Sequence, residues 1–311
     1  MNVTSVKRLL GRSQSVNTTF DIIVAGAGHN SLVCAAYLAR AGLRVLVLER
    51  AREIGGDTCT EELTLPGFKH DACASAHTLI QTSPILRDNE LGLDRYGLKY
   101  LFPDPVLVMP FRDRRSLTMF PNRDATVKEI ARFSERDAQA YEQLLLDWDA
   151  IKASYTRARY NPPAKPSNAL AALEATSRGL EAVRWRFSSA VETVEERFEE
   201  EHVRAFFLWM SLMTMAWVDE PGTGLLPLSI TAGRQAFSWT TPVGGSISLP
   251  RALAGVVREC GGEIHTNAEV MRILVENGRA MGVVMANGTR RCFHSSRQAF
   301  AGCHWTRDAR R

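Results

Sequence analysis

The first clear pattern in the chain is an apolar run, a glycine-rich turn, a helical segment and a second apolar run. The apolar run at residues 22–25 predicts a short buried strand, and the alanine-rich segment after the turn predicts a helix. A second apolar run at residues 45–48 predicts a strand that returns beside the first. We therefore expect an α/β fold with a parallel sheet.

Beyond residue 100 the pattern changes. Two apolar runs around the charged segment 112–115 predict an antiparallel hairpin. From residue 125 to residue 217 apolar residues recur at helical intervals, with a break at the proline-rich segment 161–166. Residues 205–218 are apolar on all sides, which predicts a buried helix. The wall of a cavity or a membrane-surface contact is the alternative for that segment.

The last third of the chain returns to mixed helix and strand. Residues 245–260 predict a helix with one apolar side. The pair Asn277-Gly278 predicts a type I′ turn between two strands, and a further turn is expected at Asn287-Gly288. The chain thus leaves the first sheet for a different region and then comes back to it.

The glycine-rich turn carries the chemistry of a dinucleotide site. Gly26 permits a sharp turn out of the strand, and Gly28 lets the backbone approach a pyrophosphate. Ser31 occupies the third small position, where glycine is commonest, and the N–H groups that begin the helix point at the phosphates. Glu49 lies about twenty residues further on, where an acid accepts hydrogen bonds from a ribose and would repel a 2′-phosphate. NAD and FAD are therefore favoured over NADP, and an ordinary βαβ unit is the alternative.

Several motifs make the chain similar to a known family. They are Gly26–Asn30 (GAGHN), Leu48–Gly56, Pro66-Gly67-Phe68, Thr241–Ser246 and Gly261–Ile264. With them the chain resembles the FAD-dependent carotenoid and retinoid oxidoreductases, which are phytoene-desaturase-like flavoproteins. Within that family it looks closest to the branch that contains pyridine nucleotide-disulfide oxidoreductase domain-containing protein 2 and the bacterial carotene ketolases. The match runs from about residue 21 to residue 289.

The resemblance implies a cofactor, a reaction and a set of contacts. The implied cofactor is FAD, and the implied reaction transfers a hydride from an apolar, isoprenoid or carotenoid substrate to the flavin. The backbone of Val270 would reach the adenine. No catalytic residue is assigned, because no nucleophile and base are paired in the sequence. The other implied FAD contacts are Gly26, Gly28, His29, Asn30, Ser31, Glu49, Arg50, Gly55, Gly56 and Thr58.

These expectations define a Rossmann-type FAD-binding domain with an inserted, mixed α+β and largely helical substrate domain. The alternatives are an amine-oxidase-like flavoprotein and a non-catalytic fragment that keeps only the nucleotide-binding half. The expected limits are residues 1–20 for a basic flexible extension, 21–100 for the first part of the FAD-binding domain, 101–240 for the substrate domain, 241–289 for the return to the FAD-binding domain and 290–311 for an atypical basic tail.

The tail differs from what the family pattern predicts. After Thr289 we expect a further buried strand of the nucleotide sheet and, later, a glycine-rich segment over the flavin. Residues 290–311 instead hold six arginines and no strand alternation. We therefore expect a truncated or frame-shifted product, with a genuine basic tail on a compact variant as the alternative.

Composition narrows the remaining function classes. The 311 residues have a net charge of +4, and because both ends are basic the body is slightly acidic, so no nucleic-acid partner is expected. The six cysteines form no CxxC pair, so we expect neither a metal site nor a redox disulfide. A cytoplasmic protein is expected. Peripheral membrane contact and a mitochondrial presequence in the basic first twenty residues are alternatives.

Overall fold

The protein is described by a computed structural model that covers residues 20–162, 165–292 and 299–301. The described chain packs as two units. The sheet unit holds the residues up to Ser75, Asn89–Lys99 and those from Pro242 onward. The helical unit holds Ala76–Asp88 and Tyr100–Thr241.

The strands, in chain order, are β1 (Ile22–Ala25), β2 (Val45–Leu48), β3 (Thr60–Glu61), β4 (His70–Asp71), β5 (Tyr100–Leu101), β6 (Leu107–Pro110), β7 (Ser116–Met119), β8 (Thr241–Pro242), β9 (Glu263–His265), β10 (Val270–Glu276), β11 (Arg279–Met285), β12 (Arg290–Cys292) and β13 (Ala299–Ala301).

The helices are α1 (His29–Arg40), α2 (Pro84–Arg87), α3 (Arg123–Ala131), α4 (Glu135–Tyr160), α5 (Pro166–Glu174), α6 (Gly179–Phe187), α7 (Ala190–Arg197), α8 (Glu201–Leu212), α9 (Leu226–Phe237) and α10 (Ser248–Glu259). Two 3₁₀ turns lie at Leu79–Thr82 and Leu93–Tyr96.

A four-stranded parallel sheet forms the core of the sheet unit, with the strand order β13-β1-β2-β9. All four residues of β2 are buried, as are the first three of β1, which explains why both read as continuous apolar runs. Helix α1 buries Ala35, Ala36 and Ala39, and α10 packs against it. This order is the first half of a Rossmann fold, so the predicted fold class is confirmed.

The structure corrects the expectation that no sheet strand follows Thr289. Strand β12 pairs antiparallel with β11, and β13 pairs parallel with β1, with Ile22 opposite Ala299. A three-residue strand is too short to show an alternating apolar and polar pattern in the sequence. Its backbone nevertheless pairs with the edge of β1 and satisfies hydrogen-bonding groups there. Residues 293–298 and 302–311 lie outside the described residues, so the rest of the predicted basic tail stays a prediction.

The start of the sheet unit also differs from the predicted limits. Phe20, the last residue of the expected flexible extension, is buried with Ile23 and Leu46. Residues 1–19 lie outside the described residues. The predicted turn near the end of this unit is confirmed, because Asn277 and Gly278 have φ angles of 50° and 74°, as a type I′ turn between β10 and β11 requires.

The helical unit contains the predicted hairpin, β6 and β7, and helices α3 to α9. Helix α4 ends at Tyr160 and α5 begins at Pro166, so the predicted proline break is confirmed. Residues 76–88 belong to this unit and not to the FAD-binding part as expected. They are held there because the N–H of His77 donates to Thr240 O at 2.8 Å and the hydroxyl of Tyr160 donates to Leu79 O at 2.9 Å.

Residues 205–218 are not buried throughout, contrary to the sequence prediction. Helix α8 ends at Leu212 and buries Val203, Phe206, Phe207 and Met210, a helical spacing that defines one apolar face. The other face is only partly buried, and in the turn that follows Trp217 is 70% exposed. No helix in the described part of the chain is long and apolar enough to cross a membrane.

Candidate functional site

The site begins where β1 ends. Gly26 has a φ angle of +95°, in the left-handed region that favours glycine, and its N–H donates to Leu48 O at 2.7 Å. This bond joins the carboxyl ends of β1 and β2. The chain therefore turns sharply at the edge of the sheet and enters α1.

The N-terminus of α1 is open to a ligand. Gly28 is the N-cap, no side chain caps the helix, and its first turn has no acidic residue. The first intrahelical bond runs from Leu32 N–H to Gly28 O at 2.9 Å, so the amides of the three preceding helical residues have no intrahelical acceptor. A Cβ added to Gly28 would meet nothing within 4 Å. This open cradle of amides fits the diphosphate of a dinucleotide.

Glu49 follows β2, and its side chain is buried beside the glycine turn. Its carboxylate accepts from Ala27 N–H at 2.6 Å through Oε2 and from Ala51 N–H at 2.8 Å through Oε1. Its own backbone N–H donates to His265 O at 2.8 Å, at the end of β9. Each carboxylate oxygen can accept a second bond, so both remain able to bind a sugar hydroxyl. Sequence reasoning predicted the sugar contact but missed that Glu49 also holds the turn.

The second glycine pair lies directly against the first turn. Gly55 N–H donates to Ala27 O at 2.8 Å, and Gly28 and Gly55 form a parallel bridge. A Cβ on Gly55 would lie 2.5 Å from Thr58 O, and one on Gly56 would lie 3.3 Å from the Cα of Gly28. A side chain is excluded at Gly55 and would be strained at Gly56, so the two glycine segments make one surface.

His29 and Thr58 meet at this surface. The Nδ1 atom of His29 lies 2.9 Å from the hydroxyl oxygen of Thr58, which is buried. Burial lowers the pKa of His29, and the nearby carboxylate of Asp57 opposes that shift. A neutral imidazole that is bonded to a buried threonine shapes the loop and adds no charge next to a phosphate.

The remaining predicted FAD contacts differ from one another in burial and position. Ser31 is buried on α1, whereas Asn30 and Arg50 are exposed. Val270 opens β10, two residues after Ala268, whose N–H donates to Glu49 O at 2.7 Å. The contact between Val270 and an adenine stays a prediction.

A hydrogen-bonded support beneath the site was not predicted. Asp71 Oδ1 accepts from the hydroxyl of Thr60 at 2.6 Å and from the N–H of Ser246 at 2.8 Å, and the N–H of Ile247 donates to the Thr60 hydroxyl at 3.1 Å. A Cβ on Gly245 would clash with that same hydroxyl oxygen. Residues 245–247 therefore close on β3 and β4, a contact across 175 residues that no local pattern reveals.

The site as a whole has one chemical character. An uncapped helix N-terminus, a glycine surface and a buried carboxylate meet at the carboxyl ends of β1 and β2. Strand order reverses between β1 and β13, and open parallel sheets bind nucleotides at such a switch point. The fold and the site therefore define a dinucleotide-binding Rossmann domain.

Comparisons with known proteins agree with this class. Residues 24–88 match the model of the NAD(P)-binding Rossmann-like domain. The chain is 32% identical to a limonene dehydrogenase subunit of Castellaniella defragrans over 273 residues, which is 86% of this chain and 48% of that protein. It is 30% identical to pyridine nucleotide-disulfide oxidoreductase domain-containing protein 2 of Mus musculus, over 89% of this chain and 52% of that protein.

Two further proteins are similar to the chain. The neurosporene-forming phytoene desaturase of Rhodobacter capsulatus is 28% identical over 86% of this chain and 50% of its own length. An oxidoreductase structure from Methanosarcina mazei superposes with a TM-score of 0.54 at 21% identity, over 87% of this chain and 56% of that one, which shows a shared fold.

The chain is similar to the phytoene-desaturase-like FAD-dependent oxidoreductases, and the resemblance expected from the motifs is confirmed. It spans about half the length of the curated relatives that it matches.

Proposed function

We propose that the protein is an FAD-dependent oxidoreductase that takes a hydride from an apolar isoprenoid substrate. The observation that carries this proposal is the joined glycine surface, with Gly28 open to a diphosphate and Glu49 fixed beside it. The family supplies the identity of the cofactor. The names of the relatives, limonene dehydrogenase and phytoene desaturase, support the isoprenoid substrate.

The residues present fit the adenosine diphosphate half of FAD. The amides at the start of α1 would bind the diphosphate, and the Glu49 carboxylate would accept hydrogen bonds from the ribose. Gly55 and Gly56 would let the backbone lie against the cofactor without a side chain between them. When bound, FAD supplies the hydride acceptor of the reaction. The protein positions both molecules and keeps the glycine turn closed through Ala27 and Glu49.

The isoprenoid substrate is the finer part of the proposal. A hydrocarbon has no group that a side chain can ionise, so the protein contributes a dry apolar surface and an orientation. This agrees with the sequence, in which no nucleophile and base are paired. We also propose a cytoplasmic location, which is supported by the spacing of the six cysteines, none of which forms a CxxC pair in the sequence.

An absorbance spectrum of the purified 311-residue protein tests the cofactor, and anaerobic titration tests the substrate. We expect flavin bands at near-equal molar ratio to protein, and bleaching of those bands by limonene but not by putrescine. Bleaching by putrescine alone would favour amine oxidation. Recovery of NAD with no flavin would overturn the proposal.

A further inference from the structure

The helical unit contains a cavity of about 430 Å³ between α4, α9 and the 3₁₀ turn Leu79–Thr82. This volume lies within the range of small-molecule sites, which is about 300–1,000 Å³. Leu145, Trp148 and Phe237 give the cavity an apolar side. Arg123 and Arg159 give it a positively charged side, so the cavity is amphipathic.

The two arginines are available to an anion. A third cation on the wall, Lys152, is occupied, because its Nζ lies 2.7 Å from Asp149 Oδ1. Among the described residues, no carboxylate lies within 4.0 Å of the guanidinium group of Arg123 or Arg159. Arg123 donates to the backbone oxygen of Glu142 at 3.2 Å, and Arg159 stands over the ring of Tyr155 at 5.4 Å.

A buried cation lies behind the same wall. Arg234 is 8% exposed, and burial lowers its pKa to about 10. Its guanidinium group lies 3.9 Å from the centre of the Trp239 ring and donates to the hydroxyl of Thr78, a residue that lines the cavity. In the described part of the chain it has no carboxylate partner within 4.0 Å. A buried charge without a counter-ion is unfavourable, and an anion in the cavity would offset that cost.

Hydrogen bonds hold the walls in place. The hydroxyl of Tyr160 lies 2.7 Å from that of Thr82, which fixes the 3₁₀ turn against the end of α4. The side-chain amide of Gln235 donates to Phe120 O at 2.9 Å and to Pro121 O at 2.7 Å, which fixes α9. The cavity is therefore formed before a ligand arrives.

We propose that this cavity binds an amphiphile with an anionic head, a carboxylate or a phosphate on a short hydrocarbon chain. The head pairs with Arg123 and Arg159, and the chain packs on Leu145, Trp148 and Phe237. A neutral hydrocarbon would offer neither guanidinium group a counter-ion, so this ligand differs in class from the proposed substrate. The inference stands on the helical unit alone and does not depend on FAD.

Three probes that share a ten-carbon chain and differ in their head group test the inference. They are decanoate, decyl phosphate and 1-decanol. Calorimetry on the full-length protein should show each anion binding at least about tenfold more tightly than the alcohol, because one charge-assisted contact is worth that much. Quenching of tryptophan fluorescence should accompany binding and should largely disappear in Trp148→Phe. The tighter of the two anions identifies the head group.

Two variants and a matched control locate the contact. Arg123→Gln and Arg159→Gln should each weaken anion binding about tenfold and leave 1-decanol binding unchanged. Arg157→Gln, on the same helix as Arg159 but outside the cavity lining, should bind like the original protein. Equal affinity for all three probes, no saturable anion binding, or unchanged binding in both variants would overturn the proposal. Arg159 is exposed, so Arg159→Gln decides the matter if Arg123→Gln does not fold.

Discussion

Gly28→Ala separates cofactor binding from folding. Gly28 has φ −64° and ψ 158°, which alanine adopts without strain, and the added Cβ would meet nothing within 4 Å. Alanine is a poorer N-cap than glycine, so we expect the free energy of unfolding to fall by less than about 1 kcal/mol. The structure without cofactor therefore tolerates this change.

The same methyl group would fill the space that a diphosphate needs. If it keeps the phosphates from two helix amides, two charge-assisted hydrogen bonds worth about 1.5–3 kcal/mol each are lost. The expected loss of FAD affinity is therefore about 3–6 kcal/mol, or at least about a hundredfold. Fluorescence titration of the apoprotein with FAD measures the affinity, and thermal melting without FAD measures the stability.

Gly233→Ala is the matched control, because its Cβ would make only an ordinary contact, 3.7 Å from a methyl carbon of Thr78 in the helical unit. That variant should keep the original FAD affinity. If Gly28→Ala retains full FAD affinity while it folds normally, the diphosphate does not lie on this turn and the assignment of the site is refuted.

Three other changes probe the same architecture. Glu49→Ala should weaken FAD binding and also lower the melting temperature of the apoprotein. The buried Ala27 N–H then loses its acceptor, at a cost of about 1–3 kcal/mol. An unchanged melting temperature of the apoprotein would refute the structural role of Glu49. The free energy of unfolding should fall as the pH drops below the ordinary histidine pKa of 6.5, because His29 takes up a proton in the unfolded chain before it does so in the folded one. In urea titrations at several pH values, His29→Asn should reduce this dependence of stability on pH. Phe207→Ala, which removes a fully buried ring stacked 4.3 Å from Phe198, should cost about 3–5 kcal/mol in urea unfolding, whereas Leu146→Ala at a 52% exposed site should change it by less than about 0.5 kcal/mol.

Local patterns were enough to predict the parts of the fold that depend on near neighbours. The apolar runs of β1 and β2, the glycine turn between them and the type I′ turn at Asn277-Gly278 each follow from a few adjacent residues. The proline break before α5 is of the same kind. For these elements the structure confirms the prediction made from the sequence.

Features that depend on distant pairing were not predictable. Strand β13 is three residues long and is defined by its partner, β1. The exposed end of residues 205–218 was mistaken for core because composition does not show which face of α8 packs. Asp71 gave no local signal of its role, since its partner Ser246 is 175 residues away. The cavity in the helical unit likewise gathers arginines from separate helices.

The two hydrogen bonds that the Glu49 carboxylate accepts have a consequence for any attempt to redesign nucleotide preference. Exchanging this acid for a basic residue is the obvious route to a 2′-phosphate, but it would also take the acceptor from Ala27 N–H inside the turn. A successful exchange therefore needs a second substitution that supplies a new acceptor. Since two hydrogen bonds to Glu49 already hold the turn in place, binding should carry little ordering cost. One side chain thus determines both nucleotide specificity and local stability.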